Sequence, residues 1–422
     1  MNPFILRLGF VLTCLAMLSG DLLAQPQIYT QRRQEAMQFL QQAELSKRGG
    51  NFNNAIDQYT AAIETDQSFA EAYMKRALML QQMGRYTESM QDFNRAIDLN
   101  PFSEIYYDQR ARLRILQSDY AGAITDMDQA LTLSPYNSDF LDMRALAQIE
   151  QNEFGEALAD FDFMLELNPD DTIALLKRAI TYTRLDIYDR AKADLDRAID
   201  LNPNSALVFD IKGLFHLHFN ELDLALKAFD KAIQLDPGFA FAYYNRSVVH
   251  KKLGSLPASI EDLDKALQIN QNFPNAYFNR AVAHKAAGNL EAAVADYNSA
   301  IDIKGDFTEA IFNRGFTRTM MGGFGESMPD LNRAIELEPE NAELWNKRGN
   351  LKSFFGRYFD AILDYNRAID LDRNYAEAYY NRGMTRIMNY EKIRGCEDLD
   401  RASRMGYMMA DEKIRYFCGG PK

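Results

Sequence analysis

"EAYYNRGMTR" occupies Glu377–Arg386, and close variants stand earlier in the chain: "FAYYNRSVVH" from Phe241, "NAYFNRAVAH" from Asn275 and "EAIFNRGFTR" from Glu309. The starts at 241, 275 and 309 are 34 residues apart, and 377 lies two periods further on. Taking Ala36 as position 1, the period runs without insertion through eleven repeats to residue 409. Within each repeat, apolar residues recur at i, i+4 and i+7 in two blocks, which predicts two amphipathic helices, A and B. A period of this length with two helices predicts stacked helix pairs, because one pair cannot bury its own apolar face.

Each repeated position has a physical task. Position 8, where helix A meets helix B, is always small, from Ala43 and Ala77 to Gly213, Ser247, Gly315, Gly349 and Gly383. Position 20 is small for the same reason, and position 24 supplies bulk, as in Tyr59, Phe93, Phe229 and Tyr365. Position 27 is Ala except for Met164. Gly or Asn often stands at position 15, the turn from A to B: Gly50, Gly84, Asn152, Asn220, Gly254, Gly288, Gly322 and Gly356. Proline at position 32, as in Pro101 and Pro339, stops helix B. Pro329 falls inside a helix B, where a local kink is expected.

This pattern resembles the tetratricopeptide repeat (TPR) family over nearly all of the chain downstream of its first residues. The resemblance implies an all-α, right-handed α-solenoid of about eleven helix-turn-helix repeats with a C-terminal capping helix. The expected organisation is a signal segment over 1–24, a helical lead-in over 25–35, the array over 36–409 and a cap over 410–422.

The N-terminus reads as an export signal. Arg7 supplies a positive charge, Leu8–Leu18 an apolar stretch too short to span a membrane comfortably, and Ala24 a small residue for cleavage. After cleavage two cysteines remain, Cys396 and Cys418. They fall near the start of one expected helix and near the end of the next antiparallel one, in a tail similar to the closing segment of exported bacterial TPR proteins. A disulfide is the expectation for an exported chain. The formal charge is −13 with no basic block, which argues against nucleic acid as a partner.

Two ladders stand out. Position 7 is basic in ten repeats, Arg in nine of them, and position 23 is Asp in nine, and repeat 6 departs at both, with Lys212 in place of Arg and Ala228 in place of Asp. That joint exception predicts pairing between helices A and B within a repeat. Position 6 holds Asn245, Asn279, Asn313 and Asn381, beside the aromatics Tyr244, Phe278, Phe312 and Tyr380. In TPR proteins position 6 faces the inner groove, and the run resembles the asparagine ladder in the TPR segment of O-GlcNAc transferases. The resemblance implies that these amides grip a peptide backbone, each offering a donor and an acceptor; the alternative is that they are ordinary solvated helix-A residues.

His216, His250 and His284 occupy position 11 of consecutive repeats, roughly 10 Å apart, too far to share a metal, and are expected in the core. No phosphate loop, nucleophile elbow or metal-spaced Cys/His cluster appears in the sequence. The expectation is therefore a non-enzymatic scaffold without cofactor or metal. It would act outside the cytoplasm, without a membrane segment once the signal is removed. It would bind a protein partner as an extended peptide or helix in the groove, centred on repeats 7 to 9. The alternative is a structural or assembly subunit of an envelope complex, acting through its outer face or the array ends.

Overall fold

The computed structural model describes residues 31–419, and among them the chain is built of helices with no strand. The expected signal segment, the start of the lead-in (25–30) and residues 420–422 lie outside the described residues. Helix A of repeat 1 covers 31–48, so the rest of the lead-in is the first turn of that helix. In repeats 2 to 10 every helix A has 13 residues and every helix B has 14, beginning with Ala70–Gln82 and Tyr86–Leu99. The last pair is Ala376–Met388 and Lys392–Arg404, followed by Met409–Lys413 and a π-helical turn, Ile414–Cys418. Among the described residues no helix is long and apolar enough to cross a membrane.

The chain divides into two compact units, one ending at Pro203 and one starting at Asn204. The first holds repeats 1 to 5. Its core stacks position-24 side chains such as Tyr59, Phe93 and Phe161 against Ala43, Ala77 and Ala145, all fully buried. The second holds repeats 6 to 11 and the closing segment. There glycine stands at several position-8 sites where a ring or a backbone carbonyl lies too close for a Cβ. A Cβ on Gly213 would lie 2.4 Å from the Phe229 ring, and one on Gly349 would lie 2.7 Å from the Tyr365 ring. On Gly383 it would meet the Gly395 carbonyl oxygen at 2.8 Å.

Helix A ends the same way throughout. Position 15 takes a left-handed φ in all eleven repeats, and the next N–H donates to a carbonyl five residues back, as Arg85 does to Leu80 at 2.9 Å. This geometry favours Gly or Asn. Ser118 (φ 59°), Asp186 (57°) and Tyr390 (63°) adopt it too, which their types did not signal. Helix B of repeat 9, Phe324–Leu337, runs without a break through Pro329. The exposed proline leaves only the Gly325 carbonyl without its helical donor.

The two charged ladders do pair, and they do more. Arg144 donates to Asp160 at 2.9 Å and 2.6 Å and also reaches Asp128 in helix B of the preceding repeat at 2.7 Å. The same double reach recurs elsewhere, for example Arg348 to Asp364 and Asn332. The position-23 carboxylates are buried, 0% exposed at Asp126 and 6% at Asp194. A pair of this kind matters more than an exposed one, because losing the arginine strands a buried charge.

In repeats 3, 9, 10 and 11 a second cation, at position 11, joins the buried acid: Arg114, Arg318, Lys352 and Arg386. The histidines take this same place. His216 is buried, with Nδ1 2.7 Å from Glu221. His250 and His284 are only half-buried, at 3.7 Å and 3.9 Å from Asp262 and Asp296. Cys418 Sγ abuts Cys396 Sγ, with the Cα atoms 5.7 Å apart, the spacing of bridged pairs.

Candidate functional site

The position-6 asparagines are half-buried and engaged between repeats. Asn245 Nδ2 donates to Asp210 Oδ1 at 2.9 Å, Asn279 Nδ2 to the Tyr244 hydroxyl at 2.9 Å, and Asn381 Nδ2 to Asn346 Oδ1 at 3.1 Å. Each reaches position 5 of the preceding repeat, the position that also holds Tyr244, Phe278, Phe312 and Tyr380. Lys177 repeats the link to Asp142 at 2.6 Å. Burial pushes the Asp210 carboxyl up to about 6, and the Asn245 amide only partly offsets this. Asn313 differs. Its Nδ2 donates to its own helix, at the Glu309 carbonyl, and its Oδ1 accepts from Lys285 Nζ at 2.8 Å.

The neighbouring rings pack toward the following repeat. Tyr244 lies 4.9 Å from Phe273, Phe278 lies 5.1 Å from Phe307, and Tyr380 lies 5.0 Å from Tyr407, between centroids. Phe312 is buried in a cluster with Ile311, Leu331 and Leu344. These rings join successive repeats and leave other side chains to line the open face.

In repeats 9 to 11 that open face carries two adjoining cavities. A 450 Å³ cavity is lined by Phe316, Met320, Leu351 and Phe354 with Lys347 and Asn350. A second, of 420 Å³, shares Asn350 and Phe354 and extends to Met384 and Met388. Met320, Phe354 and Met388 all occupy position 13 and are 52%, 81% and 49% exposed. In the other repeats the same position holds the polar Arg48, Gln82, Glu150, Arg184, His218 and Lys252, with Leu116 and Ala286 as the exceptions. The 34-residue period therefore carries a change of character that no single repeat displays.

At the repeat-8 end of this face, Lys285 Nζ stands 5.8 Å from the Phe316 ring centroid, and Lys347 Nζ stands 5.0 Å from that of Phe312. Burial, and then the Lys347 ammonium, pull the Lys285 ammonium below its ordinary range. No group of three or more His, Cys, Asp or Glu side chains is arranged to hold a metal among the described residues.

Comparison with known proteins agrees with this architecture. Models of the tetratricopeptide repeat match residues 70–103, 143–206, 186–240 and 274–307, and a TPR repeat model matches 249–288 and 356–386. A crystal structure of a tetratricopeptide repeat protein from Parabacteroides merdae is similar with a TM-score of 0.50. It is 20% identical and covers 60% of this chain and 99% of that one. The crystal structure of YrrB, described as a TPR protein with an unusual peptide-binding site, is 22% identical, with a TM-score of 0.35 over 42% of this chain and 92% of that one. MamA is 24% identical, with a TM-score of 0.33 over 39% and 96%. A search among curated proteins gives no match. With the matched repeats covering more than half of the residues, and helix pairs of constant length between them, the chain belongs to the tetratricopeptide repeat family.

Proposed function

We propose that this protein is an exported, non-enzymatic scaffold that holds a segment of a partner protein against the helix-A face of repeats 9 to 11. The observation that carries the reading is the row of exposed Met320, Phe354 and Met388 over two adjoining cavities. Scattered exposed apolar residues are ordinary, but a contiguous apolar strip is an interaction surface. Met is suited to it, since its flexible thioether adapts to different partners.

Export rests on the N-terminal pattern, and the Cys396–Cys418 bridge would form in that oxidising setting. Two checks are direct. The mature protein from an extracytoplasmic fraction should begin at Gln25, and it should contain no free thiol. A protein that keeps residues 1–24 in the cytoplasm would sink this part.

For the site, a photoreactive residue at position 354 should cross-link a partner that one at Asp370, in helix B, does not reach. Phe354→Asp or Met320→Asp should abolish retention of that same partner at unchanged helicity. A second reading is favoured by exposed residues at the array end, Tyr390 (97%), Ile393 (79%), Met408 (85%) and Tyr416 (80%). They would suit assembly into an envelope complex. Cross-links from position 393 and none from 354 would decide for it.

A further inference from the structure

Lys285 is a half-buried ammonium whose one hydrogen bond is to the neutral Asn313 Oδ1, and none of the ion pairs among the described residues includes it. A cation drawn partly out of water normally keeps a carboxylate beside it. Lys347, which lines the same cavity as Phe316, is the next positive charge, and it is already shared with Glu343. Burial, and after it the repulsion between the two ammonium groups, lowers the proton affinity of Lys285. One end of the apolar row thus carries an uncompensated positive charge, in a chain whose formal charge is −13.

The row itself has a spacing. Met320, Phe354 and Met388 sit one repeat apart, roughly 10 Å in packed helices. An α-helix rises about 1.5 Å per residue, so its residues i and i+7 are about 10 Å apart and share one face. An extended strand covers about that distance in three residues, but residues i and i+3 then point to opposite faces. The spacing fits a helix.

We propose that the helix-A face of repeats 8 to 11 takes an amphipathic helix of a partner protein, whose large apolar residues at seven-residue intervals lie over Met320, Phe354 and Met388 and whose terminal carboxylate side chain pairs with Lys285. This rests on the groove reading above and adds the chemistry of the occupant. On binding, an Asp or Glu replaces Asn313 as the partner of Lys285, and Lys347 divides itself between that carboxylate and Glu343.

The test uses the full mature chain and fluorescein-labelled helical peptides of about 21 residues, three α-helical heptads. Leucine forms one stripe, and one end carries paired Glu, Gln or Lys, with each pair placed at either end in turn. Anisotropy should rank the probes Glu, then Gln, then Lys, with roughly tenfold between the first two. Lys285→Gln should remove that ranking with helicity intact, and Phe354→Ser should weaken every probe.

Equal affinity for the three charge types, or a ranking that survives Lys285→Gln, overturns the charge assignment and leaves the groove reading standing. Equal binding of a proline-interrupted probe overturns the helix. Binding indifferent to Phe354→Ser, or no binding by any probe, overturns both this proposal and the groove.

Discussion

Arg144 and Arg348 occupy the same repeat position but leave different things behind when removed. Both hold a buried position-23 acid by two hydrogen bonds. Asp364 has a second cation, Lys352, at 2.7 Å, whereas position 11 of repeat 4 is the neutral Gln148. Arg144→Ala should therefore cost about 3 kcal/mol by stranding the Asp160 carboxylate, and Arg348→Ala about half of that. Urea unfolding of the two variants measures the difference, and equal losses would refute the role given to Lys352. Asp210 makes the opposite case. Its carboxyl is raised to about 6 by burial, so the native state is penalised above that pH and relieved as pH falls toward 4. Asp210→Asn, which keeps an acceptor for Asn245, should raise stability by about 3 kcal/mol at pH 7.5. The gain should shrink almost to nothing at pH 4, and thermal melting of both proteins at the two pH values checks it. The position 7–23 pairs were legible in the sequence because an exception in repeat 6 betrayed them. The position 5–6 links were not, because position 5 ranges from Asp142, Asp210, Tyr244 and Asn346 to apolar Leu176 and Phe278, and only the fold brings it beside position 6 of the next repeat.

The repeat's elements show where periodicity informs and where it hides detail. Helix lengths, the position-8 glycines and the buried position-24 residues follow directly from the period, since any larger residue at Gly213 or Gly349 collides with a ring. The A-to-B turn was only partly visible. Eight Gly or Asn residues announced it, while Ser118, Asp186 and Tyr390 adopt the same left-handed φ under the constraint of neighbouring repeats. Tyr390 is the most costly of these, since it is bulky and 97% exposed, with little packing in return. Tyr390→Gly should stabilise repeat 11 by about 0.5–1 kcal/mol, relief of strain outweighing the added chain entropy. Hydrogen exchange of Ala376–Met388 would register the gain as slower exchange. The site was hidden for a related reason. The sequence drew attention to the repeated asparagines, whereas the exposed apolar row lies at position 13, where Met320, Phe354 and Met388 replace the polar residues of most other repeats.

In a linear array each repeat is stabilised mainly by its neighbours, so the ends set where unfolding begins. The second unit closes with Met409–Lys413 and the turn that carries Cys418 back to Cys396 across 22 residues. A bridge over that interval stabilises the closed end by about 3 kcal/mol in the chain-entropy model. Its loss should not spread evenly. Repeat 11 would fray first, then repeat 10, and with them Phe354 and Met388 from the apolar face, while the first unit up to Pro203 keeps its protection. Hydrogen exchange on oxidised protein and on Cys396→Ser/Cys418→Ser would show this as faster exchange graded from residue 404 back toward 342. Uniform acceleration through both units would mean that the array unfolds as a single cooperative block. No acceleration at all would mean that the packing of Ala410 and the apolar contacts of the last helix pair, rather than the bridge, hold the end closed.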